Sequence, residues 1–555
     1  MQTAMPVTET ERPTEWNRVN WRDANRRVRN LRQRIFQATQ RQDWQTVRSL
    51  QRLMLRSHAN TLVSVRRVTQ LSHGKHTAGV DKVVVKTPAA RGKLVDQLLT
   101  SQPWRARPAR RVYIPKANGT LRPLGIPTVL DRCLQARVKN ALEPAWEARF
   151  EGSSYGFRPG RSAQDAIARA YLHSRSNTLT KWVVDADIKG AFDSIDHAYL
   201  LKTIGDVPGR GLIKQWLKAG YMEDGVWHDT DAGTPQGGVI SPLLANIALH
   251  GLEEALGMST KWGQNQGPRA VVRYADDFIV FCRTHEDAER TIGLLTDWLA
   301  IRGLRLSEEK TRIVHLTEGF DFLGWNVRLY ASNRRRGYTC FVTPSNASVT
   351  KIKQKLRAVW RQYQGANVAA LLTAINPIVR GWANYYRTEV SSRTFKKLDH
   401  WMWQRSQRYA KRNHPNKPWY WRKRRYWGKL NPKRNDTWVF GDKASGRYLQ
   451  KFAWVNIKRH TLVKGAASPD DPTLRGYWEG RMRVKTRDLP PSHQVVARRQ
   501  QHVCPLCGET IHNGEEIHIH HVKGRGKPGS DRYENLIFLH LYCHQQITAR
   551  ESLRE

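Results

Sequence analysis

The chain has 555 residues, enough for roughly three or four domains, and its 93 Lys and Arg against 48 Asp and Glu leave a formal net charge of +45. Repulsion on that scale works against compactness unless a polyanion neutralises it, which disfavours a merely soluble basic enzyme and points to a nucleic-acid partner. No apolar run reaches the length of a membrane span, and six cysteines are too few for a disulfide framework in a chain this long.

The opening MQTAMPVTETERPTEWNR carries acids and a proline and matches neither a secretory signal nor a transit peptide, so an intracellular protein is expected. Residues 16–70 predict helices, with basic residues between spaced apolar positions, and turn chemistry follows in SHGKHTAGVD (72–81). From about 110 the pattern changes to short strands broken by Gly and Pro. RRVYIPKANGTLRPLGIP (110–127) reads as a hairpin around Asn118-Gly119. Helical and strand segments then alternate to about 330, an α+β signature. A helical region is expected from about 346, interrupted at Pro377. Residues 401–430 hold ten Lys/Arg, five Trp and no acid. A solvated charge run does not explain the tryptophans, whereas a nucleic-acid surface does: aromatic faces stack on unpaired bases while basic side chains bind phosphates. The Pro/Asp/Gly-rich GAASPDDPTLRG (465–476) predicts a linker, and DLPPSH (488–493) introduces a last, metal-site-like domain. Cys133, Cys282 and Cys340 stand alone and are expected as inert core residues.

Two acid-bearing strands carry the chemistry. In RYADDFIVF (273–281), Asp276 and Asp277 sit inside a run otherwise built for burial. An unpaired carboxylate there costs on the order of several kcal/mol, so either a turn or a cation must relieve it. The second strand, KWVVDADIKGAFDSIDH (181–197), places Asp185 and Asp187 two apart and hence on one face. Carboxylates brought together at one sheet edge make a pocket that needs cations, and hard oxygens suit Mg²⁺. Two such ions about 3.5–4 Å apart serve in-line phosphoryl transfer. A basic nucleic-acid binder with that site is a polymerase or a nuclease.

YADD after an apolar strand, DIKGAFDSIDH before it and TPQGGVISPLLANI (234–247) between them resemble, in order and spacing, the motifs of reverse transcriptases over roughly 75–330. TAGVD, IPKANGTLRPLGIP, SSYGFRPGRSAQDAI (153–167) and the thumb-like INPIVRGWANYYR (375–387) narrow the likeness to group II intron-encoded proteins, whose thumb is called domain X. That resemblance implies that Asp187, Asp276 and Asp277 hold two Mg²⁺ ions; Asp187 is preferred over Asp185 because it matches the first acid of the motif. It further implies that Lys116 and Arg122 clamp the triphosphate, and that Gln236 and Gly237 support template and incoming nucleotide. Lys310, in SEEKTRI, would lie near the pyrophosphate, and FDFLGW (320–325) resembles the primer grip. Phe192, five residues after Asp187, would collide with a ribose 2′-hydroxyl and so favour dNTPs.

Near the C-terminus, Cys504-x-x-Cys507 has metal-ligand spacing, and His540-x-x-Cys543 completes a Cys₃His set suited to a structural Zn²⁺. Such a staple suits a unit of some fifty residues, too small to bury a secure core. Inside it, HIHH (518–521), ENL (534–536) and CH (543–544) resemble an HNH endonuclease. The resemblance implies His521 as general base, Asn535 as the residue that orients the catalytic loop, and His520 and His544 as ligands of a divalent cation, Mg²⁺, on the scissile phosphate. His518 is a rival for either metal.

The expected architecture is multidomain α+β: a right-hand polymerase with fingers and palm, an α-helical thumb, a basic DNA-binding segment and a small zinc-stapled ββα HNH domain. The boundaries expected are 1–100 for an N-terminal helical extension and the start of the fingers, 101–340 for fingers and palm, 341–430 for thumb and domain X, 431–493 for a basic DNA-binding region with linker, and 494–555 for the HNH unit. The implied activity is that of a multifunctional reverse transcriptase, splicing maturase and DNA endonuclease acting by target-primed reverse transcription. Its partners would be a group II intron RNA, target DNA and dNTPs, without a membrane, in a nucleoid-associated ribonucleoprotein of the bacterial cytoplasm. A splicing cofactor with little polymerase activity, or a reverse transcriptase in a defence system, are the rival readings. Oligomeric state stays open.

Overall fold

In a computed structural model, residues 13–100, 104–115, 119, 121–258, 260–261, 264–265, 267–332, 337–486, 488–523 and 532–551 are described. The N-terminal part is helical, as expected. Asn20, Asp43 and Ser57 each accept a backbone N–H three residues on and start the helices Trp21–Gln40, Trp44–Arg56 and His58–Arg66. Their buried residues, among them Val28, Leu31, Ile35, Leu50 and Met54, pack with the long helix Val129–Glu147. Next come antiparallel strands Ala109–Pro115 and Leu121–Ile126, the expected hairpin, although Asn118 at its turn lies outside the described residues.

The palm is a four-stranded antiparallel sheet in the order Arg312–His315, Trp182–Asp187, Asp277–Cys282, Ala270–Tyr274. Its central strands are apolar on both faces because both faces are covered. Val183, Ile279 and Phe281 join Ile167 and Ala170 of the helix Ala163–His173. Val184, Phe278 and Val280 pack on Leu295 and Leu299 of the helix His285–Ala300. The two-residue pleat assigns alternate side chains to the two cores, and each buried Phe adds roughly 1.5–3 kcal/mol. Cys133 and Cys282 are buried as expected; Cys340 is only half-buried.

The thumb-like part contains the helices Asn346–Gln362, Val368–Tyr386 and Ser392–Asn413. The expected interruption at Pro377 does not occur: Pro377 lies inside the continuous helix Val368–Tyr386. Proline inside a helix costs about 3 kcal/mol, but Leu371, Leu372, Ile375 and Val379 bury one continuous face across it, and several such side chains outweigh that cost. The Asn376 side chain adds hydrogen bonds to the backbone of Tyr448 (2.9 Å) and Gln450 (3.0 Å).

The stretch 465–476 joins two units, yet it is pinned rather than free. Arg32 makes a two-pronged contact with Asp470 at 2.8 and 2.7 Å and reaches Glu143 at 2.9 Å. The Trp478 indole donates to the Ser468 carbonyl (2.9 Å). The C-terminal unit is ββα: strands Ile517–His521 and Leu536–His540 pair antiparallel and lead into the helix Leu541–Glu551. Its Phe538 and Leu539 share one core with Trp16 and Trp21 of the N-terminal region. No described helix is long and apolar enough to cross a membrane.

Candidate active sites

Asp187 ends one central strand and stands directly opposite Asp277, the first residue of its neighbour. Tyr274 pairs with Asp277, so Ala275 and Asp276 form the two-residue turn between them. One carboxylate therefore leaves the strand and the other meets the cleft where the sheet ends. Burial, then repulsion from Asp276, Asp187 and Asp185, pushes the Asp277 carboxyl up to about 6, although the residue as a whole stays exposed. Burial and Asp187 raise Asp276 too, against the pull of Arg122 and Lys310. Lys310 Nζ donates to Asp187 Oδ2 at 2.7 Å. Asp185 is engaged separately, by Arg312 at 3.1 Å from both Nε and Nη2. Asp185, Asp187, Asp277, Lys310, Arg312 and Asp321 line a cavity of about 430 Å³. Hard oxygen donors this close together, with Asp276 and Asp277 raised first by burial and then by their acidic neighbours, fit a divalent cation, which removes that repulsion.

The turn is held from beneath by a residue that the sequence reading passed over. Arg273 is 1% exposed, and its Nη1 donates to Asn246 Oδ1 (3.1 Å) and to the Ala275 carbonyl (3.3 Å). Burial lowers its pKa only to about 10, so it stays charged beneath the acids. Burial would raise the nearby Glu151 carboxyl, but a hydrogen bond with His250 and the charge of Arg273 hold it down to about 2. Ala275 has φ +60°, and a Cβ on Gly156 would come within 2.2 Å of its nitrogen, so SSYGF packs backbone to backbone on the turn. A lone Arg in a strand of buried residues was the available signal.

Gln236 and Gly237 are tied to the strand of Arg122, whose charge acts on Asp276, and the same loop is tied to Phe192. The Gly125 N–H donates to the Gln236 carbonyl (2.7 Å), and Gly237, at φ +121°, leaves no room for a Cβ, which would lie 2.8 Å from the Gly125 carbonyl oxygen. The loop is thus pressed against the strand that carries Arg122. On its other side, the Thr234 N–H donates to the Phe192 carbonyl (2.6 Å). Phe192 is half-buried and meets Phe157 edge-on at 6.2 Å. Lys116 lies outside the described residues. In FDFLGW, Leu323 and Gly324 both have positive φ, as a tight hairpin turn requires. Tyr385 Oη donates to the Leu323 carbonyl (3.0 Å) and Tyr386 Oη to that of Gly324 (3.1 Å). The thumb motif therefore holds this turn, a link invisible to motif reading.

In the C-terminal unit, Cys504, Cys507, His540 and Cys543 are buried with their ligand atoms all within 4.8 Å of one another. A tetrahedral ion with bonds of about 2.3 Å holds its ligands about 3.8 Å apart, so the set fits one. His518 stands elsewhere, 3.3 Å from Glu516, with its ring 5.5 Å from that of His544. The rings of His520 and His544 are 5.3 Å apart, and His520 is 3.6 Å from Glu551. Burial, then His520 and His518, lower the His544 pKa, which favours the neutral, ligand form. Asn535 accepts from the Lys523 N–H (2.6 Å) and donates to its carbonyl (3.0 Å), clamping the chain just after His521.

Four stretches of the chain match families of known proteins. Residues 114–327 match the family described as reverse transcriptase (RNA-dependent DNA polymerase), and 16–98 match the N-terminal domain of reverse transcriptase. Residues 349–427 match the group II intron maturase-specific domain and 504–550 the HNH endonuclease. Protein YkfC of Escherichia coli (strain K12) is 38% identical over 317 residues, covering 50% of this chain and 82% of its own. Group II intron-encoded protein LtrA of Lactococcus lactis subsp. cremoris is 33% identical over 302 residues, covering 43% of this chain but only 50% of its own. Maturase-like protein 1 of Euglena gracilis is 25% identical over 376 residues, 66% of this chain and 76% of its own.

Proposed function

We infer the function from one premise: the chain belongs to the group II intron-encoded proteins, and it joins reverse transcriptase, maturase and HNH endonuclease domains in one polypeptide. It acts in intron mobility by target-primed reverse transcription. The maturase region, 341–430, binds the intron RNA and promotes its splicing. The HNH unit, 494–555, nicks target DNA and so exposes a 3′-hydroxyl, from which the polymerase of 101–340 copies the intron. The basic segment 431–493 contacts target DNA, and 1–100 completes the fingers. The setting is the bacterial cytoplasm, in a nucleoid-associated ribonucleoprotein.

The observation that carries this reading is the register that sets Asp187 against Asp277 with Asp276 in the adjoining turn. Asp187, Asp276 and Asp277 would hold two Mg²⁺ ions, which would supply Lewis-acid chemistry at the primer 3′-hydroxyl and at the triphosphate. Lys116 and Arg122 bind the triphosphate. The Phe192 ring excludes a 2′-hydroxyl, while Gln236 and Gly237 carry the nascent base pair. Lys310 partly neutralises Asp187 at rest and then hands a proton to the leaving pyrophosphate. In the nuclease, His521 takes a proton from water, Asn535 fixes the loop, and His520 with His544 holds one divalent cation. Cys504, Cys507, His540 and Cys543 bind a structural Zn²⁺.

Primer extension on an RNA template with Mg²⁺ tests the polymerase core, with dNTPs or NTPs offered to wild type and to Asp276→Asn. Extension with dNTPs alone, lost in the variant, is the expected result. A folded, RNA-binding wild type that extends nothing would shift the function to a splicing cofactor.

A further inference from the structure

Arg66 lies at the end of the helix His58–Arg66 and is only 5% exposed. A buried cation needs a counter-charge. Among the described residues, the hydrogen-bond acceptor facing this guanidinium is not a carboxylate but the Cys543 sulfur, 3.1 Å from Nη2 and 477 positions away in the chain. Its other face lies over the Trp21 indole, 4.6 Å from the ring centroid. Three thiolates around one Zn²⁺ and a neutral histidine leave one net negative charge on the buried centre. The excess negative charge and the buried cation meet at one sulfur, with the Glu515 carboxylate a further charge nearby that accepts no hydrogen bond from it among the described residues.

We propose that Arg66 is the counter-cation of the zinc centre, a positioning residue through which the N-terminal helices hold the metal site of the nuclease. Zinc loading and docking of the nuclease unit onto those helices are then coupled. The rest of the contact is built to keep the pair in register. Asn25 Nδ2 donates to the Cys507 carbonyl (2.9 Å), and Lys75 Nζ to the Tyr542 hydroxyl (2.6 Å). Gln546 Nε2 donates to the Asn17 carbonyl (2.7 Å). Remove the ion, and the centre no longer offers Arg66 a net negative charge; remove Arg66, and the thiolates lose the donor that stabilises them. The inference rests on the zinc reading of the Cys₃His set.

The test uses the full chain loaded with Co²⁺, whose thiolate-to-metal charge-transfer band responds to hydrogen bonds on sulfur. Arg66→Met is expected to move that band to longer wavelength and to speed zinc release to a chelator about 10- to 100-fold, the range typical of lost outer-shell partners. Arg66→Lys falls between and carries the comparison if the Met variant does not fold. Lys75→Met removes a contact across the same interface but none on sulfur, and leaves the band in place. Stripping zinc from wild type raises amide exchange in 21–40 and 58–66 as well as in 504–551. A metal-loaded Arg66→Met chain with unchanged band and release rate overturns the role of Arg66. Exchange confined to 504–551 overturns the coupling. A wild type that takes up neither metal overturns the zinc reading, and this inference with it.

Discussion

In the palm, Asp187 and Asp277 line an open cleft with Asp276 in the adjoining turn, whereas in the C-terminal unit Cys504, Cys507, His540 and Cys543 are enclosed. The palm acids repel one another, and each stays within reach of a movable cation such as Lys310. In the C-terminal set, Cys543 faces the buried Arg66. A site that must exchange substrate at every turnover needs free coordination positions and tolerates repulsion between its ligands. A structural site closes its shell and turns metal affinity into folding energy. The supports differ in the same sense: Arg273 and Asn246 brace a strained turn without covering it, while the N-terminal helices share one core with the Cys₃His cluster.

Reciprocal substitutions should separate the two regions. Asp276→Asn is expected to lower primer extension by about 10³-fold, equivalent to about 4 kcal/mol of lost charge stabilisation, while DNA nicking stays within about threefold of wild type. Cys504→Ser should abolish nicking, because an open zinc shell no longer folds the ββα unit, and lower extension by no more than about tenfold. Both follow from steady-state assays on one primed RNA template and one labelled duplex. Loss of both activities in Asp276→Asn, at unchanged thermal stability, would refute the independence of the sites.

A smaller effect tests selectivity within the palm. Phe192→Ala should reduce the preference for dNTPs over NTPs about 10- to 200-fold, the range of a modest steric contact in a binding pocket. The ratio of kcat/KM values for the two substrates is the measurement. An unchanged ratio would reduce Phe192 to packing against Phe157.

How much of this was legible beforehand follows from how local each feature is. The acids, the TPQG loop and the Cys₃His ligands sit in short motifs whose spacing carries the chemistry, and the structure brings each of those sets together. Arg273 was readable in principle, as a charge in an apolar strand, but its partner Asn246 lies 27 residues away. Pro377 was misread because a local breaker was weighed against propensity alone, although Leu371, Ile375 and Val379 continue the helical period across it. Arg66 could not be read at all. Nothing near it distinguishes it from its basic neighbours; only the fold brings it to Cys543.

The smallest expected effect concerns pH and sharpens the contrast between an exchangeable site and a closed one. The Asp277 carboxyl is pushed up to about 6 by burial and by its acidic neighbours, against about 3.9 for an unperturbed Asp. Its raised pKa means that the folded state binds more protons than the unfolded one between those values. Its contribution to stability is therefore complete below pH about 4 and is lost as pH rises through about 6. Because the residue remains exposed, screening keeps the effect modest. In EDTA, the Tm of wild type should fall relative to that of Asp277→Asn as pH rises from about 4 to about 6, then run parallel above it. Mg²⁺ binds the deprotonated form, so it should restore wild-type Tm selectively above pH about 6. Parallel curves throughout, with and without Mg²⁺, would mean that repulsion among the palm acids is already relieved without a bound cation.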